Sequence, residues 1–142
     1  MAVTQGTFDL ANQDRITVDC WSPGVIKRTK FFDILLHYSG YPGMPGPGRS
    51  LVQNVRVKAG IFDTTFDATM CAYVVWINPV SREQLRQISS AHEAVFDVGN
   101  GRTLKLNESQ LAQIRGLLAY TDTLPLFDFP PDEDATNDTK GK

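Results

Sequence analysis

The sequence predicts an α+β fold: a mostly antiparallel sheet of about five to six strands, flat or partly closed into a barrel, with a short helix and a C-terminal helix. Three observations carry this expectation. Apolar and polar residues alternate with a period of two in several short runs, the pattern of half-buried strands. One such run folds about "GNG" (99–101), residues that tolerate the positive φ of a tight hairpin. The stretches read as helices come late, so strand and helix do not alternate as a parallel, nucleotide-binding sheet requires.

Each element has its own local reason. "RITVDCW" (15–21) alternates, is β-branched, and is broken by Ser-Pro-Gly, so it reads as a strand. "VIKRTKFFDILLHYS" (25–39) places Thr29, Phe31, Ile34, Leu35 and Tyr38 on a helical stripe. Its Val-Ile start, its adjacent Phe pair and its lack of a cap favour a bent strand instead. "GYPGMPGPG" (40–48) holds four glycines and three prolines, a composition that sustains only an irregular loop. "SLVQNVRVKAGIFD" (50–63) alternates as one strand with a bulge near Gln53 and Asn54. "ATMCAYVVWINP" (68–79) is the most apolar run and is expected to be the central strand. Asn78 and Pro79, or Ser81, open a short helix in "SREQLRQIS". "EAVFDVGNGRTLKLN" (93–107) is the hairpin. Asn107 then caps "ESQLAQIRGLLAY", with Gln110 three residues on as in a capping box, and Leu111, Ile114, Leu117 and Leu118 form its core stripe. "EQLRQI" (83–88) and "SQLAQI" (109–114) echo one another, an echo short enough to be shared helix chemistry rather than a repeat.

A chain of 142 residues that is 42% hydrophobic and 21% charged has the composition of one globular domain. Residues 1–126 are expected to form it, with 127–142 an acidic flexible tail that carries four acids from Pro130 onward. Net charge is −2, but it is unevenly spread. The basic excess centres on "KRTK" (Lys27, Arg28, Lys30) and the acidic excess on the tail. No apolar run reaches the roughly 20 residues of a spanning helix, and the first fifteen residues lack an apolar signal core. A cytoplasmic setting, in a host cell or an assembled particle, is therefore expected. Cys20 and Cys71 each sit in an apolar strand-like run, where a buried thiol is more common than a bridge or a ligand; pairing stays open if their strands are neighbours.

Motifs of chemistry are scarce. His37 and His92 have no Cys or His at metal-ligand spacing, and there is no CxxC, P-loop, GxGxxG or GxSxG. No cofactor is expected. The spaced glycines of "GMPGPG" resemble a phosphate cradle only in spacing, because its prolines remove amide donors. "GIFDTTFDAT" (60–69) offers Asp63 and Asp67 as a pair of carboxylates. Yet six of the eight Phe are followed by Asp, where chance gives fewer than one such pair. A device spread over the chain is structural: in a strand, Phe enters the core while Asp faces out. Extended, Asp63 and Asp67 stand about 13 Å apart, too far for a glycosidase pair.

These readings favour a non-enzymatic interaction or assembly module, such as a small viral or phage structural or inhibitory protein, acting on a protein partner or on itself. Tyr41, Met44 and Arg49 of the Gly-Pro loop are its candidate contacts. The alternative is a single-stranded nucleic-acid binder using Lys27, Arg28, Lys30 and Tyr38; a second is an unrecognised small enzyme using His37 or the Asp pair.

Overall fold

The structure, a computed structural model, describes residues 2–22, 31–48 and 50–123. The basic stretch around Lys27, Arg28 and Lys30, Arg49, and the tail after Thr123 lie outside the described residues.

The strands are β1 (Ala2–Asp9), β2 (Arg15–Ser22), β3 (Phe31–His37), β4 (Val52–Ala59), β5 (Phe62–Met70), β6 (Val75–Val80), β7 (Ala94–Gly99) and β8 (Arg102–Leu106). Two α-helices, α1 (Arg82–Ser89) and α2 (Glu108–Thr123), follow β6 and β8. The eight strands form one sheet in the order β1-β2-β3-β6-β5-β4-β7-β8, with every pairing antiparallel. The sheet curls into a half-barrel.

The expected antiparallel sheet and two helices are present, but the strand number is corrected from five or six to eight. The stretch 50–63 is not one bulged strand. It is β4, a tight turn at Gly60 and Ile61, and the start of β5; Val52 to Ala59 pair with Thr69 to Phe62 without a break at Gln53 or Asn54. The stretch 68–79 is likewise cut, because the chain turns at Cys71–Val74 between β5 and β6. β1 was not expected at all: its "AVTQGTFD" holds little apolar alternation. One register shift sits in β6, where Asn78 and Pro79 separate Ile77 from Val80 against the single Asp33 of β3, and a second in β7 between Asp97 and Gly99. Proline is tolerated in β6 because a bulge releases its position from the ladder.

One face of the sheet is apolar in every strand from β2 on: Ile16, Val18, Phe32, Ile34, Leu36, Val55, Val57, Phe66, Val75, Ile77, Phe96, Leu104 and Leu106 are buried. The helices complete this core with Leu85 and Ile88 of α1 and Leu111, Ile114 and Leu118 of α2. Both helices begin in a capping box. Ser81 Oγ accepts from Gln84 N while Gln84 Oε1 accepts from Ser81 N; Asn107 and Gln110 repeat the arrangement at 2.9 Å each way. The GNG turn takes positive φ at all three residues (97°, 55° and 76°).

The half-barrel is clasped across its open side. Asp14, in the β1–β2 connection and 4% exposed, accepts from Arg102 Nη2 at the start of β8 (2.6 Å to Oδ1) and from Ser39 N (3.0 Å). Arg102 also stands over the Tyr38 ring at 5.8 Å and donates to Ser39 Oγ. The edge strand β8 is thereby tied to the opposite end of the sheet order. No helix among the described residues is long and apolar enough to cross a membrane.

Candidate interaction face

The Gly-Pro loop is ordered by specific contacts rather than by regular structure. Gly40, Gly43 and Gly48 take φ of 85°, 82° and 84°, conformations costly for any residue with a Cβ. Tyr41 is the anchor. Its N–H bonds Tyr38 O (3.2 Å), its ring meets the Tyr38 ring edge-on (5.6 Å, 70°), and its hydroxyl donates to Cys71 O in the β5–β6 turn. Burial, then the neighbouring Cys71 and Tyr38, push the Tyr41 phenol above its ordinary value, so it stays a neutral donor. Gln53 Nε2 fixes the base of the loop by donating to Tyr38 Oη (3.2 Å) and Val98 O (2.8 Å). Met70 N bonds Leu51 O (2.7 Å).

These contacts bring together two stretches that are unusual in composition. Residues 38–54 hold one charged side chain, Arg49, and residues 68–81 hold none, in a chain that is 21% charged. At the end of the sheet where they meet, large apolar side chains stand in solvent: Met44 (54% exposed), Leu51 (47%), Val52 (54%) and Tyr73 (78%). A shallow hollow of about 340 Å³ lies beside Met44, lined by Pro42–Gly46, Ser50 and Met70. Depletion of charge with exposed Tyr and Met is the composition of an interface centre.

The other candidates are placed as follows. Tyr38 is buried, with its ring enclosed by Tyr41 and Arg102, so it offers no stacking surface. His37 is exposed at the end of β3, near Asp9, Gln13 and Arg15. His92 Nδ1 lies 3.1 Å from Glu108, both well exposed. Asp63 is bound by Arg56 (Nη2 to Oδ2 2.7 Å, Nε to Oδ1 2.9 Å), and that guanidinium holds its carboxyl below the usual value. Asp67 is exposed on the same face of β5. An acid kept ionised by an adjacent arginine is poorly suited to donating protons. Cys20 is buried and Cys71 half-buried, and the two do not form a disulfide.

A cleft of about 510 Å³ lies between the β1–β2 connection and β8, beside the Asp14–Arg102 clasp. The Arg102 Nη2 donors are already engaged by Asp14 and Ser39, so the clasp is explained by the fold. No group of three or more His, Cys, Asp or Glu is gathered for a metal among the described residues.

Comparison with protein-family models, curated proteins and solved structures gives no match.

Of the loop contacts expected from the sequence, Met44 is exposed. Tyr41 acts as the anchor rather than as an exposed contact, being only half exposed. Leu51, Val52 and Tyr73 were hidden inside runs read as continuous strands. The signal that could have found them is the charge gap shared by 38–54 and 68–81.

Proposed function

We propose that the protein is a non-enzymatic interaction module that binds a protein partner through the charge-poor face where the Gly-Pro loop meets the β5–β6 turn. The observation that carries the reading is that Met44, Leu51, Val52 and Tyr73 are all exposed in two segments held at one end of the sheet, whose sequence carries a single charge. Leaving these side chains in water forgoes the burial energy they would gain in a contact. The loop is also braced before any partner arrives, by Tyr41 and Gln53, which lowers the ordering cost of binding. The complementary surface is apolar, poor in charge, and shaped to receive Tyr73 and Met44. Such a module fits a role as an assembly or inhibitory component.

The test is co-purification from the source cell with the wild-type chain and with Met44→Asp/Tyr73→Asp. A partner held by wild type and by Asp67→Asn, but lost from the double variant, supports the reading. Retention of the same partner by the double variant refutes it. The nucleic-acid alternative draws on no observation among the described residues; salt-dependent oligonucleotide binding lost on replacing Lys27, Arg28 and Lys30 would reinstate it.

A further inference from the structure

Every residue of 102–107, the whole of β8 and the residue after it, lines the cleft of about 510 Å³ beside the Asp14–Arg102 clasp. Neighbouring side chains of a strand point to opposite faces of the sheet. A hollow that touches all of them therefore runs along the edge of the strand and not over one face. That edge is open to a further strand. β8 stands last in the sheet order and pairs with β7 alone. The backbone groups of alternate residues point to opposite sides of a strand, so the set that β7 does not take faces the cleft.

The walls define what fits. The inner side is apolar: Leu104 and Leu106 are buried, and Leu10 packs against the core. The outer side carries Lys105, exposed and in no ion pair among the described residues, whereas Arg102 is held by Asp14 and Asp9 by Arg15. Glu93 adjoins the Asn107 end, beyond the Ala94–Leu106 pair. The far wall is the β1–β2 connection, residues 9–12 with Asp14, tied to β8 by the bond from Arg102 Nη2 to Asp14 Oδ1 (2.6 Å). A second copy's β8 would bring its own β7 against that wall; a single extended segment would not. A lysine can serve merely to blunt an exposed edge, but a blunted edge needs no cleft alongside it.

We propose that this cleft binds an extended peptide segment of a partner protein, added to the open edge of β8 as a further strand. Main-chain hydrogen bonds to β8 hold the segment, so it carries no proline at the bonded positions. Its apolar side chains turn inward onto Leu10, Leu104 and Leu106. Between them an acidic side chain stands outward against Lys105, a favourable cross-strand pair. At the strand rise, β8 spans about 14 Å and reads about four or five residues. The site is separate from the charge-poor face, and the inference does not depend on the function proposed for that face.

Amide NMR of the isotope-labelled full chain, titrated with the capped peptide Thr-Val-Asp-Val-Thr to about 5 mM, tests it. Wild type is expected to show saturable shifts confined to residues 102–107 and 9–12, with a Kd of about 1 mM or below. Two N-methylated peptides, each blocked at one alternate set of amides, should differ: one loses binding and the other keeps it, because an added strand bonds β8 through one set only. Lys105→Glu, at an exposed position, should weaken the peptide about threefold and turn the preference towards Thr-Val-Lys-Val-Thr. Absence of saturable shifts along β8 by about 5 mM overturns the proposal. So does binding that survives both methylations, or that Lys105→Glu leaves indifferent to the charge of the peptide.

Discussion

Phe62 and Asp63, adjacent in β5, show how one residue type can look functional and be structural. Phe8, Phe32, Phe62, Phe66 and Phe96 are all buried, and Asp9, Asp63, Asp67 and Asp97 are exposed. Period-two alternation made this legible without any coordinates. The exception is Asp33, 1% exposed, which accepts the Trp76 indole N–H at 2.8 Å on the face away from the helices; alternation could assign its face but not its burial. Phe62→Ala and Phe66→Ala should each cost about 3–5 kcal/mol, the transfer and cavity terms of a buried ring. Asp63→Asn and Asp67→Asn should leave the denaturation midpoint nearly unchanged. Equilibrium urea titrations of the four variants check the contrast, and a marked gain in stability from either Asn would show that these carboxylates repel at close range. Trp76→Phe removes a donor from buried Asp33 and should cost roughly 1–3 kcal/mol.

Among the elements, the helices and the GNG hairpin were the most legible, because caps, turn glycines and stripes are local. The QLxQI echo has a physical explanation: Gln84 and Gln110 are the third helical residues of two capping boxes, and Leu85, Ile88, Leu111 and Ile114 all face the core. The turn at Gly60–Ile61 was missed because Ile61 continues the apolar pattern on either side of it. The turn at Cys71–Val74 was missed because its residues carry no Gly, Pro or Asn. Asn107→Ala removes the cap of α2 and should cost about 1 kcal/mol in thermal unfolding. In α1, Arg86 and then Gln87 hold the Glu83 carboxyl down at about 2, from an ordinary 4.5. A depressed carboxyl stabilises the fold above its unfolded value and loses that contribution as pH falls through the folded one. The stability difference between wild type and Glu83→Gln should therefore persist from pH 7 to about 4.5 and fade towards pH 2. Thermal melts across that range give the check.

At the scale of the whole molecule, what alternation could not reveal is which strands meet. The Asp14–Arg102 clasp joins positions 88 residues apart, and no local pattern encodes such a pair. Asp14→Ala would leave Arg102 only partly in solvent, without its carboxylate, and should cost about 3 kcal/mol, the lower end for a broken buried pair. The charge-poor face is likewise a product of the fold, since it exists only where the Gly-Pro loop meets the β5–β6 turn. Its role as the contact face is most directly tested by hydrogen exchange on the partner-bound and free protein. Slowed exchange at Tyr41–Gly48, Leu51–Val52 and Met70–Val74, with the hairpin tip at Ile61 and strand β8 unaffected, is the predicted result. Protection centred instead on β8 and the cleft beside Asp14 would contradict it.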